Sequence, residues 1–85
     1  MPASTIQARI TIGFRPGVLD PEAQAIHRSL LGLGFGEVEG LKKQKLIELE
    51  LAMTDKGAAK ARLEEMCEKL LANPVIESYA IEILG

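Results

Sequence analysis

One cysteine, one histidine and a short run of lysines are the residues with which this chain could attempt chemistry. A thiolate nucleophile at Cys67 would need a nearby cation, a histidine or a helix N-terminus to lower its pKa. Cys67 instead sits beside Met66, late in a helical pattern with no histidine near it in sequence, so a packing role is expected. His27 next to Arg28 would need a cysteine or a second histidine to hold a metal, and a surface role is expected of it. The stretch from Gly13 to Val18 offers Arg15 to an anion, but a phosphate cradle needs several converging amides, and Pro16 has none to give. Glu64, Glu65, Glu68 and Lys69 lie on a helical segment where Glu65 and Lys69 stand four apart, which supports the helix. Acid–base work by paired carboxylates would require burial to separate their pKa values. Lys42, Lys43 and Lys45 are the one basic cluster, readable either as a solvated edge or as a docking patch for an acidic surface. The residues point to binding or assembly and away from catalysis.

Composition narrows the partners. A net charge of −2 lacks the surplus of Lys and Arg that displaces counterions from nucleic acid. With no Trp, one Tyr and two Phe, the chain also lacks a base-stacking platform. No apolar run reaches the roughly 18–20 residues of a membrane span, and the opening MPASTIQARI has no basic-then-apolar leader, so a cytoplasmic protein with no membrane partner is expected. A lone cysteine agrees with a reducing compartment. Eighty-five residues suffice for one core, so residues 1–85 are expected to form a single domain. Such a domain gains by burying more surface in an oligomer.

The elements that must position these residues are well punctuated. Ile6, Ala8, Ile10, Ile12 and Phe14 alternate with polar or small residues, the period of a strand with one buried face. Asp20-Pro21 is an N-cap followed by a first helical position, and Ala23, Ile26, Leu30 and Leu33 line one face of the helix it opens. Gly32 or Gly34 is expected to end that helix. Between Glu37 and Met53 the phase of the apolar residues changes, which predicts a short edge strand around Val38 and Leu41, a reversal near Lys43-Gln44-Lys45, and a second strand through Ile47, Leu49, Leu51 and Met53. Thr54 or Asp55 caps a second helix with Ala59, Leu63, Met66 and Leu70 as its stripe, widened by Cys67 and Leu71. Asn73, in a left-handed conformation, and Pro74 are expected to stop it. Val75, Tyr79, Ile81 and Ile83 then give a last strand. The order βαββαβ predicts an α+β fold, a ferredoxin-like sandwich of a four-stranded antiparallel sheet with both helices on one face. The opposite face, with Gln7, Arg9, Thr11, Glu48 and Glu50 among its residues, is left uncovered.

Val18 to Phe35, VLDPEAQAIHRSLLGLGF, together with Met66 to Tyr79, MCEKLLANPVIESY, resembles the PurS family, with the Asn-Pro-Val-Ile-Glu joint as the most specific part. The resemblance covers nearly the whole chain. It departs at Lys43-Gln44-Lys45, where Gly-Lys is expected before the third strand. What it implies is the small, non-catalytic subunit of phosphoribosylformylglycinamidine (FGAM) synthase, an ATP-dependent amidoligase of de novo purine synthesis that converts FGAR to FGAM. The chain itself would bind no cofactor or metal; ATP, magnesium and glutamine would be used by the partner subunits. As a homodimer or tetramer it would join the large synthase subunit to the glutaminase and assist ammonia transfer. Arg15, Lys43, Lys45, Asn73 and Glu77 are the candidate docking residues, and sheet-to-sheet or edge-to-edge contact is the expected mode of dimerisation. The alternative function is a small-ligand-sensing regulatory module, which the fold by itself leaves open.

Overall fold

The computed structural model describes residues 5–85; Met1–Ser4, where part of the expected leaderless start falls, lie outside the described residues. Alternation of apolar and polar residues produces strand β1, Ile6–Phe14, whose Ile6, Ala8, Ile10 and Ile12 are buried. Two further strands, β2 (Lys45–Leu51) and β3 (Glu77–Ile83), pair with β1 antiparallel on either side, giving the order β2-β1-β3. The register places Ile10 between Ile47 and Ile81, and Ala8 between Leu49 and Ile83, so the apolar residues of all three strands share one face.

Helix α2, Lys56–Met66, covers that face with Ala59 and Leu63, and its C-terminal extension adds the buried Cys67. Asp55 caps it, its carboxylate accepting from the amides of Gly57 and Ala58. The helix does not end as a plain α-helix. Cys67–Leu71 forms a π-turn, with the Ala72 amide donating to the Cys67 carbonyl. The extra residue in this wider turn rotates the expected stripe: Cys67 is fully buried, whereas Leu70, read as part of the apolar face, is 82% exposed. Asn73 does not adopt the left-handed conformation expected of it, since no described residue other than glycine has positive φ. The chain turns by another route, with the Asn73 carboxamide oxygen accepting from the Val75 amide in an Asx turn. Val75 consequently belongs to this turn and not to the last strand.

Two larger expectations are corrected. Residues 37–44 are not a strand, and the sheet of the described residues has three strands, not four. Helix α1, Pro21–Gly32, begins as expected, with Asp20 accepting from Glu22 and Ala23 and with Pro21 at the first position. It ends through Gly34 at φ 101°, where the Gly34 and Phe35 amides donate to the carbonyls of Leu31 and Leu30. Yet α1 does not lie on the sheet: it makes at most glancing contact with any strand or with α2. The chain runs out along α1 and returns beside it, where His27 Nε2 lies 2.8 Å from the Val38 carbonyl oxygen. A carbonyl only accepts, so Nε2 carries the hydrogen. The would-be edge strand is thus engaged with α1 rather than with β2. Residues 15–44 form an arm, and a nine-residue strand of about 30 Å with a helix of about 18 Å end to end accounts for the 51 Å long axis.

The candidate docking site

All five sequence-derived candidates meet where the arm joins the sheet. The Arg15 amide, just past the end of β1, donates to the Ile76 carbonyl at 2.8 Å. Its guanidinium reaches back to the joint between the π-turn and β3, where Nε and Nη2 both donate to the Pro74 carbonyl, at 3.0 and 2.7 Å. Asn73 is held from three sides. Its amide donates to Glu77 Oε1 at 2.7 Å, its carbonyl accepts from the Ile76 and Glu77 amides, and its side chain closes the Asx turn. Glu77 then turns its other oxygen to Lys45 on β2, 3.8 Å away. Lys43 pairs with Glu22 in the first turn of α1, and this pairing holds its ammonium above the usual lysine pKa, through the hydrogen bond first and charge attraction second. A carboxylate in that turn also suits the helix dipole.

Gln44, the position that departs from the resemblance, has a local explanation. Its side chain lies across Gly13 of β1: a Cβ built there would come within 3.0 Å of Gln44 Nε2 and 3.1 Å of its Cγ. The glycine leaves room on β1 that the glutamine fills. Two open clefts flank this base. One, of about 430 Å³, runs between β1 and the Lys43–Lys45 segment; the other, of about 490 Å³, lies along Arg15–Asp20 and reaches Ala23 and His27.

The arrangement is suited to presenting a shaped surface. Lys43 and Lys45 each have a carboxylate partner, and Arg15 has a backbone one, so none of the three is an unpaired cation aimed into a cleft. Among the described residues no group of three His, Cys, Asp or Glu is placed to hold a metal. Burial, with the negative charges of Glu68 and Glu64 adding to it, pushes the Cys67 thiol above its ordinary pKa, the reverse of what activates a nucleophile. The sequence offered the five residues one by one and not their convergence, because their positions range from 15 to 77. It missed the Arg15–Pro74 contact, since no side-chain pattern announces a backbone carbonyl acceptor.

The PurS model, described as phosphoribosylformylglycinamidine (FGAM) synthase, matches residues 7–85. The chain belongs to the PurS family. Over 77 residues it is 40% identical to the PurS subunit of phosphoribosylformylglycinamidine synthase from Methanocaldococcus jannaschii, covering 91% of this chain and 93% of that one. The corresponding Synechocystis subunit is 44% identical over 75 residues, covering 88% of this chain and 75% of the relative. In structure, a chain of PurLQS from Thermotoga maritima superposes with a TM-score of 0.84 at 32% identity, covering 94% of this chain and 98% of that chain. The PurS match therefore extends across the candidate residues, from Arg15 to Glu77, as well as the sheet.

Proposed function

We propose that this chain is the small, non-catalytic PurS subunit of an FGAM synthase complex in purine biosynthesis, and that residues 1–85 act as one domain. The observation that carries the reading is the family match over residues 7–85, together with the likeness to a chain of PurLQS. The site agrees with it, because its ionic groups are engaged with one another and its clefts lie open. Two copies of the chain would bridge the large synthase subunit and the glutaminase, docking through the base of the arm with Arg15, Lys43, Lys45, Asn73 and Glu77. ATP, magnesium and glutamine would be handled by those partners. Ammonia passing between them must be kept from water, so a subunit that seals the passage assists catalysis without touching substrate. The ferredoxin-like four-stranded form is what the β2-β1-β3 sheet would reach if an added strand paired with the free edge of β2. No specific observation favours the ligand-sensing alternative.

Reconstitution tests the role. Purified synthase and glutaminase subunits are assayed with and without this chain, using glutamine or ammonia as nitrogen donor. The expected outcome is that omission abolishes the glutamine-dependent reaction and spares the ammonia-dependent one. Equal rates with and without the chain would remove the assignment.

A further inference from the structure

Resting on the bridging role proposed above, we propose that the open face of the sheet is a second docking surface, and that its occupant is a basic protein surface, rich in arginine or lysine, on one of the two subunits the chain joins. A subunit that bridges two others needs two separate places to be held. The base of the arm is one of them, and the chain's excess charge marks the other. Away from the core, the register sets Gln7 beside Glu50, Arg9 between Glu48 and Glu82, and Thr11 between Leu46 and Ala80. This face therefore carries three carboxylates and one guanidinium. The whole chain has twelve Asp and Glu against ten Lys and Arg; with these four residues set aside, nine of each sign remain. The entire net charge of −2 thus belongs to one face of the sheet, and the rest of the molecule is balanced.

An antiparallel sheet commonly leaves one face to water, but the charges on this one are held in place. Arg9 Nη2 donates to Glu48 at 3.3 Å and Nη1 stands 3.5 Å from Glu82, while Nε is sealed from solvent with no acceptor among the described residues. The guanidinium thereby ties all three strands together at the cost of one hydrogen bond. It fixes the carboxylates of Glu48 and Glu82, whose side chains remain 62% and 63% exposed. Acceptors already held lose less freedom when a cation arrives than free ones would. Glu50 is exposed and has no ion-pair partner among the described residues. Next to these charges Leu46 is 58% exposed, and Thr11, Ser78 and Ala80 are small. A partner lying flat on the sheet therefore meets apolar and charged contacts side by side.

Charge decides among the occupants. A second copy set on this face by a two-fold axis would bring glutamates against glutamates. Nucleic acid and anionic lipid carry the same sign as the face and would be repelled. A basic protein surface has the opposite sign, and its guanidinium groups can donate to the outward carboxylate oxygens in paired hydrogen bonds. Because Arg9 stays paired with Glu48 and Glu82 within the chain, none of the three is left as an isolated charge when water is displaced.

The test measures binding of the full chain to the purified synthase subunit and to the purified glutaminase, separately, at low and raised salt. Light scattering follows copy number and circular dichroism follows the fold. Glu48→Gln, Glu50→Gln and Glu82→Gln together are expected to weaken binding to one of the two subunits roughly tenfold at low salt and to spare the other, with copy number and helix content as in wild type. Glu50→Lys, which disturbs no ion pair of the described residues, is expected to weaken the same partner more than Glu50→Gln does. The wild-type affinity for that partner is expected to fall as salt rises, and that of the triple variant much less. The proposal is overturned if the triple variant binds both subunits as wild type does, if it loses both equally, or if the lost affinity is independent of salt. A change of copy number in the triple variant also overturns it, and gives the face to a second copy. A wild type that supports glutamine-dependent turnover beside a triple variant of equal affinity removes this surface and leaves the bridging role standing. A wild type that binds neither subunit and gives no such turnover removes both.

Discussion

Tyr79 is the chain's one tyrosine, and its hydroxyl donates to Glu68 at 2.8 Å. Ionising it would give up that hydrogen bond and set two negative charges side by side, so its pKa is pushed up to about 12, the hydrogen bond contributing most and desolvation next. Because the folded state holds the proton more tightly than the unfolded one, the stabilisation is present below the ordinary tyrosine pKa near 10 and is lost as pH climbs toward 12. With no Trp to obscure it, phenolate absorbance will report this group alone. The wild-type midpoint should lie near 12, and Glu68→Gln should move it down toward the ordinary value. A second residue-scale expectation concerns Gly13. Gly13→Ala should destabilise by about 1 kcal/mol because the new methyl crowds the Gln44 side chain. Gln44→Gly in the same molecule should restore most of that loss, leaving a coupling energy that a double-mutant cycle of urea melts will read.

Among the elements, those whose signals are local were legible in the sequence. Strand β1 followed from five alternating residues, and both helix starts followed from an aspartate whose carboxylate satisfies the first-turn amides. Asp55→Ala should accordingly lower the stability of the fold by ~1 kcal/mol, measured by chemical denaturation, and Asp55→Asn by much less. Signals that depend on what an element packs against were not legible. Periodicity put Leu70 on the α2 stripe because it counts at 3.6 residues per turn, and the π-turn at Cys67–Leu71 breaks that count with no residue to announce it. Val38 and Leu41 carry the residue types of an edge strand, but whether such a segment pairs with β2 or lies along α1 is decided by where α1 points. The joint at Asn73-Pro74 was legible as a stop and not as a clasp. Arg15→Ala should loosen it by about 1 kcal/mol, because Pro74 then exchanges a charged donor for water; Arg15→Lys should recover only part, since one ammonium does not reproduce two fork donors.

At the scale of the whole molecule, the sheet with α2 holds the main core, whereas α1 and the segment returning beside it are joined to that core mainly through their base. Stability is therefore unevenly distributed along the chain, since opening a region costs in proportion to the apolar contacts it gives up. In deuterated solvent, the amides of Ala25 to Leu31 should take up label well before those of Ala8 to Ile12. The gradient would make this small protein two cooperative units in one polypeptide, the looser of them ready to yield its shape to whatever neighbour it meets while the tighter one keeps its own.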